Sequence, residues 1–224
     1  MKFSILHPTR GRPNLAADVL LHTIANANTN DFEYLMMVDA DDPSFKDYMA
    51  LPRLPGFKML VTDMKDVAWV AKQNLLAAAS SGDILVCIAD DFFLPIDWDS
   101  RLESEIPVGI DQFVIWIDDG DDRITYREKY PNGYMTHPIV SRAYYLKKGH
   151  LFYPDYKHYW CDLDFYKQVL VDQIKVVFAK ERIHCVHKHY QNPGGNQKDA
   201  TYARAEAWGA RDGEVFKRRW NGEI

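Results

Sequence analysis

Two adjacent aspartates, Asp90 and Asp91, follow an apolar run at 84–88 that predicts a buried strand. Neighbouring carboxylates repel each other unless a cation lies beside them. A hard divalent cation such as Mg²⁺ or Mn²⁺ prefers one or two carboxylates together with substrate phosphates. Asp is also common in solvated turns, and the pair alone would favour a turn. Its position after a buried strand favours a metal site that binds a diphosphate.

A second group that could bind metal lies in the histidine-rich segment 183–195, IHCVHKHYQNPGG. Alternation along a strand would place His187 and His189 on one face, where either could supply a nitrogen ligand. A carboxylate and an imidazole together suit Mn²⁺. Because a single histidine is more often structural, the metal-binding and structural interpretations are balanced here. The Asn-Pro-Gly-Gly stretch at 192–195 predicts a mobile lid over the site.

The first half of the chain alternates apolar strands with amphipathic helices, which predicts an α/β fold. Strand-to-helix alternation implies right-handed crossovers and a mostly parallel central sheet with helices on both faces. The predicted strands lie at 3–6, 34–38, 57–61 and 84–88, and the predicted helices lie at 14–27 and, capped by Asp66, at 67–82.

Polar residues follow each of these four strands. Ligands of such sheets bind beyond the carboxyl ends of the strands, which meet at one edge, so the sequence predicts a binding site there. The residues are Thr9, Arg10 and Arg12 after the first strand, Asp39, Asp41 and Asp42 after the second, Asp63 after the third, and Asp90 with Asp91 after the fourth.

The second half continues the same fold and gives no reason to divide the chain into separate domains. We therefore predict one domain over 1–224. Its predicted elements are a strand at 112–117, a solvated turn at 118–122, helices at 141–148 and 162–171, a strand at 174–178 and a long final helix at 199–219.

Composition narrows the class of protein. The chain has 224 residues with 47% hydrophobic and 13% aromatic content, which is typical of an ordinary globular protein. The net charge of −5 argues against wholesale binding of nucleic acid. Three cysteines without paired spacing argue against a disulfide framework, and no segment is long and apolar enough to span a bilayer. We therefore expect a soluble, cytoplasmic protein.

Three stretches together resemble the nucleotide-sugar-binding half of GT-A-fold glycosyltransferases, and they come closest to the family-2-like group. They are FSILHPTRGRP at 3–13, YLMMVDADDPS at 34–44 and KQNLLAAASSGDILVCIADDFFLPIDW at 72–98. The resemblance implies a single Rossmann-like GT-A domain in which residues 1–98 bind the nucleotide sugar. Residues 99–224 would then form the acceptor-binding half with its C-terminal helix.

The resemblance also implies which residues bind the donor. In the family a Pro-Thr-x-x-Arg-Pro-like loop contacts the nucleotide, an aspartate after the second strand receives the base, and an asparagine lies on the third helix. That asparagine is Asn74 here, and it lies on an otherwise apolar stripe of the predicted helix. Because a buried amide needs hydrogen-bond partners, it contacts either neighbouring loops or a ligand, and the sequence favours neither of these two interpretations. The implied donor-binding residues are Pro8, Thr9, Arg10, Arg12, Asp39, Asp41, Lys72, Asn74 and Asp90.

The chain departs from the family pattern at two positions. The first aspartate of the family's Asp-x-Asp metal motif is Ala89 here, so Asp91 is the implied direct metal ligand and Asp90 contacts the ribose. His187 and His189 are the implied nitrogen ligands. The arginine that often precedes the helix asparagine is a glutamine, so its phosphate contact moves to Lys72 or Arg10.

Two acidic residues in the stretch HYWCDLDFYKQVL, Asp162 and Asp164, begin a predicted helix. Acids at a helix N-terminus commonly stabilise the helix by themselves. The stretch also resembles the family's Glu-Asp-x-Asp-Leu segment, in which an acid acts as general base. The resemblance implies Asp162 as that base, with Asp164 as the second choice and Cys161 in place of the glutamate.

These observations predict a glycosyltransferase that uses Mn²⁺ or Mg²⁺, moves a sugar from a nucleoside-diphosphate sugar to an acceptor hydroxyl, and inverts the sugar carbon. The acceptor stays open between a glycan, a lipid carrier, a protein, a small molecule and a modified nucleobase. One alternative is a sugar nucleotidyltransferase, although that class usually has a glycine-rich loop and a lysine after the first strand. The other is a non-catalytic protein of the same fold that binds a sugar or nucleotide.

Overall fold

The computed structural model describes residues 2–65, 67–118 and 135–221. Its strands are β1 (Phe3–Pro8), β2 (Phe32–Asp39), β3 (Phe57–Thr62), β4 (Ile84–Cys87), β5 (Phe92–Phe93), β6 (Phe113–Trp116), β7 (Ile139–Ser141), β8 (Lys175–Phe178) and β9 (Val186–His187). Its helices are α1 (Pro13–Ala25), α2 (Phe45–Met49), α3 (Trp69–Ala79), α4 (Trp98–Ser104), α5 (Arg142–Lys148), α6 (Cys161–Val171), α7 (Ala200–Ala207) and α8 (Gly209–Arg219). The predicted cap at Asp66 and residues 119–122 of the predicted turn lie outside the described residues.

The central sheet has the strand order β3-β2-β1-β4-β7-β6-β8. Strands β1 to β4 are all parallel, as the alternation of strands and helices predicted. Strand β7 runs antiparallel to both of its neighbours, β4 and β6, and β8 pairs in parallel with β6. The predicted α/β fold with a mostly parallel central sheet is therefore confirmed.

Two apolar cores lie on the two faces of this sheet. Neighbouring residues of one strand point to opposite faces, so Ile5 enters one core and Leu6 enters the other. Residues of the second half of the chain, such as Ile115 and Val114, join the same two cores. Because both faces are covered, the strands consist of nearly continuous apolar runs rather than alternating ones.

The final helix differs from the prediction, since it consists of two helices rather than one. Helix α7 ends at Ala207 and α8 begins at Gly209, and the Trp208 N–H bonds to Ala205 O at 3.0 Å. This i→i−3 bond tightens the turn. The next residue, Gly209, has a lower helix propensity than every residue type except proline, so the helix is weakest here. As a result α7 lies against the strand ends, while Val215 and Phe216 of α8 are buried in the second core.

A small antiparallel sheet brings the histidine-rich segment to the end of β4. Strand β5 pairs with β9, and Phe92 lies opposite His187. The strand β9 has only two residues, so His189 lies outside it, and strand alternation does not set its position. The rings of His187 and His189 are nevertheless only 5.6 Å apart.

All three cysteines are buried and free, as the absence of paired spacing predicted. Within the described ranges, no helix combines the length and the apolar character needed to cross a membrane.

Candidate functional site

A cavity of about 390 Å³ lies at the carboxyl ends of β1 and β4. Most of the predicted site residues line it: Pro8, Thr9, Arg10, Arg12, Lys72, Asp90, Asp91, Asp162, His187 and His189. Four do not, namely Asp39, Asp41, Asn74 and Asp164. The fold therefore brings residues from both halves of the chain to one place, although they are up to 181 positions apart in sequence (8 to 189).

The two adjacent aspartates are held by different partners. Asp90 Oδ1 lies 2.9 Å from His7 Nε2, and His7 Nδ1 lies 2.5 Å from the Tyr34 hydroxyl. Asp91 Oδ2 accepts a hydrogen bond of 2.6 Å from the Tyr202 hydroxyl. All of these side chains are buried. Separate donors for each carboxylate explain how two buried acids can be neighbours in sequence.

The second oxygen of Asp91 lies near an imidazole. Asp91 Oδ1 is 3.6 Å from His187 Nε2, which is too long for a hydrogen bond. Burial alone would raise the pKa of Asp91, but the neighbouring His187 ring and the hydrogen bond from Tyr202 outweigh it and lower the pKa. The carboxylate is thus the stable form at neutral pH.

These residues fit a divalent cation that has few protein ligands. Asp91 Oδ1 and His187 Nε2 offer one oxygen and one nitrogen, which suits Mn²⁺ or Mg²⁺ completed by phosphate and water. His187 Nδ1 is buried without a hydrogen-bond partner among the described residues, so packing against Phe92 and His137 orients the ring. Within residues 2–65, 67–118 and 135–221, no group of three or more His, Cys, Asp and Glu side chains is placed to hold a metal ion without other ligands.

The predicted base-binding aspartate lies in an ion-pair cluster behind the cavity. Asp39 Oδ2 lies 2.6 Å from Arg10 Nη1 and 2.8 Å from Lys72 Nζ, and Arg10 also contacts Asp41 Oδ1 at 2.7 Å. Asp39 is fully buried, and its other oxygen has no hydrogen-bond partner among the described residues. Arg10 and Lys72 line the cavity. Asp39 and Asp41 do not line it, and they affect it only through their ion pairs with these two cations.

Lys72 connects this cluster to the loop after β1. Its ammonium group donates to Thr9 O at 2.7 Å in addition to its contact with Asp39. Burial lowers the pKa of Lys72, although the hydrogen bond to Asp39 acts in the opposite direction. A buried cation beside the cavity fits the predicted phosphate contact.

Arg12 joins the same loop to helix α7. Its guanidinium group forms two 2.7 Å hydrogen bonds to Asp199 and lies 3.9 Å from the centre of the Tyr202 ring. Asp199 also caps α7, since its side chain accepts from the Tyr202 N–H. Arg12 therefore lines the cavity but is already paired.

Asn74, for which the resemblance implied a donor-binding role, does not line the cavity and bonds to a neighbouring loop. Its Oδ1 accepts from the backbone N–H groups of Leu151 and Phe152, and its Nδ2 donates to Phe152 O. Of the two contacts that the sequence left open, neighbouring loop or ligand, the structure therefore has the loop. An amide within an apolar stripe meets its hydrogen-bonding requirement by holding this chain segment.

The two acids of α6 have different surroundings. Asp162 lines the cavity, and its carboxylate also accepts from the Leu163 N–H. Asp164 is buried on the opposite side, where it accepts from Arg219 and from the indole of Trp220. Asp164 thus forms an ion pair with Arg219 away from the cavity. As the second choice for the general base, it does not line the site.

Backbone contacts hold Asp162 at the cavity. Trp160, two residues before it, has a left-handed conformation with φ 67°, which costs a non-glycine residue about 1–3 kcal/mol. The fully buried carboxylate of Asp212 in α8 accepts from the backbone N–H groups of 157, 158 and 159. Helix α8 therefore fixes the segment that leads into α6.

Several residues of the cavity were not predicted. His137 is one of them, and it stacks on Phe92 with ring centres 4.0 Å apart. Tyr202 and Arg204 come from α7, and neither had a sequence signal. An aromatic wall completes the cavity, consisting of Trp69, His158, Tyr159, Trp160 and Trp208. Burial lowers the pKa of His158 to about 4, so this wall is uncharged at neutral pH.

Together, the strand order, the antiparallel strand β7 and the position of the cavity match a GT-A-like fold. The chain matches S. aureus TarS residues 1–349 in complex with UDP-GlcNAc with a TM-score of 0.65 and 12% identity, over 92% of this chain and 64% of that one. A second crystal structure of S. aureus TarS 1–349 matches with a TM-score of 0.61 and 14% identity, over 83% of this chain and 60% of that one.

A mannosyltransferase, PcManGT from Pyrobaculum calidifontis in complex with GDP-Man and Mn²⁺, gives a TM-score of 0.66 at 11% identity. The match covers 83% of this chain and 56% of PcManGT, so the chain spans less than two thirds of each of these relatives. No protein-family model and no curated protein matches the sequence. At such low identity, the likeness establishes the fold and not the reaction.

Proposed function

We propose that the protein is a glycosyltransferase that moves a sugar from a nucleoside-diphosphate sugar to an acceptor hydroxyl. One observation carries the proposal: a single cavity at the strand ends contains an aspartate–histidine pair, basic side chains and a separate carboxylate. These are the three groups that such a transfer needs, namely a site for a cation, contacts for a diphosphate and a general base. The GT-A-like fold supports the same class of reaction.

The donor would bind along the loop after β1 and the neighbouring basic residues. Arg10, Lys72 and Arg204 line the cavity and would offset the charge of a diphosphate, whereas Arg12 lines it but is already paired with Asp199. The unpaired oxygen of Asp39 would accept a hydrogen bond from a nucleobase N–H once Arg10 shifts aside. Asp90, held by His7, would accept from the ribose.

Asp91 and His187 would hold a divalent cation against the diphosphate. When bound, Mn²⁺ or Mg²⁺ supplies positive charge that stabilises the departing nucleoside diphosphate. His189 lies beside His187 and contributes to the same corner of the cavity. The protein's own role here is to keep the Asp91 carboxylate deprotonated and oriented.

Asp162 would deprotonate the acceptor hydroxyl. A general base must come within hydrogen-bond reach of the proton it removes, and Asp162 is the acid of α6 that lines the cavity. Attack from that side, opposite the diphosphate, would invert the sugar carbon. The second half of the chain would thus bind the acceptor, and the uncharged aromatic wall favours an acceptor with an apolar face.

The three free, buried cysteines favour a reducing compartment such as the cytoplasm.

Incubation with a panel of UDP-, GDP-, CDP-, ADP- and dTDP-sugars and MnCl₂ tests the proposal. Release of nucleoside diphosphate from at least one donor, faster with an added acceptor than without, is the expected result. Binding of nucleotides without release from any donor would favour the non-catalytic alternative. Formation of a nucleotide sugar from a sugar phosphate and a nucleoside triphosphate would instead favour the nucleotidyltransferase. For any variant of a cavity aspartate, Asp18→Asn is the control, because it removes an exposed carboxylate on α1 that lies outside the cavity.

A further inference from the structure

The hydroxyl group of Tyr202 bonds to the carboxylate that the proposed cation requires. It donates to Asp91 Oδ2 at 2.6 Å, and the Tyr202 side chain is buried at 7% exposure. The bond uses one oxygen and leaves Oδ1 directed to His187 Nε2 at 3.6 Å. Tyr202 thus contacts the carboxylate on one side and leaves the other side open to a ligand.

Tyr202 is itself fixed on several sides. The Arg12 guanidinium group lies 3.9 Å from its ring centre, and the rings of His189 and Tyr190 lie at 4.9 and 4.7 Å. The start of α7 is tied to the loop after β1, because Thr201 Oγ1 donates to Arg10 O. A phenol held this firmly can set the orientation of its hydrogen-bonded partner.

We infer that Tyr202 is a positioning residue for the cation site, and this rests on the proposed function. Its hydroxyl holds the Asp91 carboxylate so that Oδ1 and His187 Nε2 together present one oxygen and one nitrogen to the ion. Partners that orient a metal ligand in this way typically affect metal affinity 10–100-fold.

The opposite role would be competition, in which the hydroxyl occupies the carboxylate and must leave before the ion binds. The geometry argues against it, since the hydroxyl bonds to Oδ2 whereas the imidazole lies near Oδ1. The two roles predict opposite effects of removing the hydroxyl. Loss of orientation weakens Mn²⁺ binding, while loss of a competitor strengthens it.

Titration of MnCl₂ into Tyr202→Phe, with free Mn²⁺ measured by electron paramagnetic resonance, separates these roles. It is done without nucleotide, with UDP and with GDP. The expected result is a 10–100-fold weaker Mn²⁺ affinity than in the wild type, with nucleotide binding in EDTA unchanged. Tyr190→Phe is the matched control, because the Tyr190 hydroxyl bonds to Glu206 outside the cation site. It should bind Mn²⁺ as the wild type does.

The phenylalanine keeps the ring contacts, so the metal-free melting temperature of Tyr202→Phe should match that of Tyr190→Phe. Equal or tighter Mn²⁺ binding by Tyr202→Phe, with a wild type that binds the ion, would overturn the inference and leave the proposed function intact. A wild type that binds no Mn²⁺ with or without either nucleotide would overturn both the inference and the proposed cation.

Discussion

At the scale of single residues, acids that are neighbours in sequence have different roles because their partners come from different elements. Asp90 is held by His7 of β1, and Asp91 is held by Tyr202 of α7. Asp162 lines the cavity, whereas Asp164, two residues later, is buried against Arg219. Sequence spacing alone does not separate such pairs, because their partners lie 55 to 111 positions away.

Replacing Asp162 with asparagine should reduce the rate of nucleoside-diphosphate release by about 10²–10⁴ while the KM for the donor stays unchanged. The amide cannot take the acceptor proton, and general-base catalysis typically contributes a factor of this size. Steady-state kinetics with an active donor and acceptor measures both constants. A variant that keeps more than a third of the wild-type rate would exclude Asp162 as the base.

Asp164→Asn should instead lower stability. The change removes the charge of a buried carboxylate that pairs with the partly buried guanidinium of Arg219, and breaking such a pair costs up to about 3 kcal/mol. Chemical denaturation measures the loss in free energy of unfolding. A stable Asp164→Asn protein that has lost turnover would show that the assignments of Asp162 and Asp164 are reversed.

At the scale of elements, the cavity depends on segments that hold one another across the fold. Helix α3 holds the segment at 151–152 through Asn74, and α8 holds the segment at 157–159 through Asp212. Helix α7 is tied to the loop after β1 through Arg12. The second half of the chain is thus positioned by buried hydrogen bonds rather than by sheet pairing alone.

Asn74→Ala should cost about 1–3 kcal/mol of unfolding free energy, because two backbone N–H groups and one carbonyl lose their partner. Nucleotide affinity should stay within twofold of the wild type, since Asn74 does not line the cavity. Denaturation and calorimetry on the same preparation test both statements. A large loss of nucleotide affinity at unchanged stability would restore the donor-binding role.

Sequence patterns predicted the elements better than their ends. The apolar runs that became β1, β2 and β4 were recognisable because both faces of the sheet are buried. The break at Trp208 was not predicted, since apolar residues at helical spacing, namely Ala205, Trp208 and Val215, continue through it. The requirement for glycine at position 82 comes from a tertiary contact, because an added Cβ would lie 2.6 Å from Ser4 Oγ of β1.

The site was predictable where it follows a strand and unpredictable where it depends on long-range packing. Asp91, Arg10 and Lys72 line the cavity as expected, because strand ends meet at one edge. Tyr202 is far from them in sequence, and no pattern marks a tyrosine in a helix as a partner of a carboxylate. Asn74 was ambiguous because a buried amide needs partners but does not reveal which.

At the scale of the whole molecule, a buried glutamate links three parallel strands and the turn before β4. Glu33 of β2 accepts hydrogen bonds from Ser4 of β1, Ser81 and Lys58 of β3. Burial alone would raise its pKa, but these hydrogen bonds outweigh it and lower the pKa from 4.5 to about 2. The charged form is therefore the one that stabilises the fold.

Glu33→Gln should destabilise the protein by about 3 kcal/mol at pH 7. A lowered pKa in the folded state gives stability that is present above pH 4.5 and lost as the pH falls towards 2. The difference between wild type and variant should shrink over that interval. Urea unfolding at pH 7, 5 and 3 measures it, with Glu214→Gln as an exposed control. A difference that does not depend on pH would contradict this explanation.

The central claim is that the cavity binds a nucleoside diphosphate together with a divalent cation at Asp91. Calorimetric titration of UDP, GDP, CDP, ADP and dTDP, with MnCl₂ and with EDTA, into the wild type and Asp91→Ala tests it most directly. The claim predicts that at least one diphosphate binds the wild type at least tenfold more tightly with Mn²⁺, and that Asp91→Ala loses this gain. Affinities that are the same with and without Mn²⁺ for all five nucleotides would contradict it.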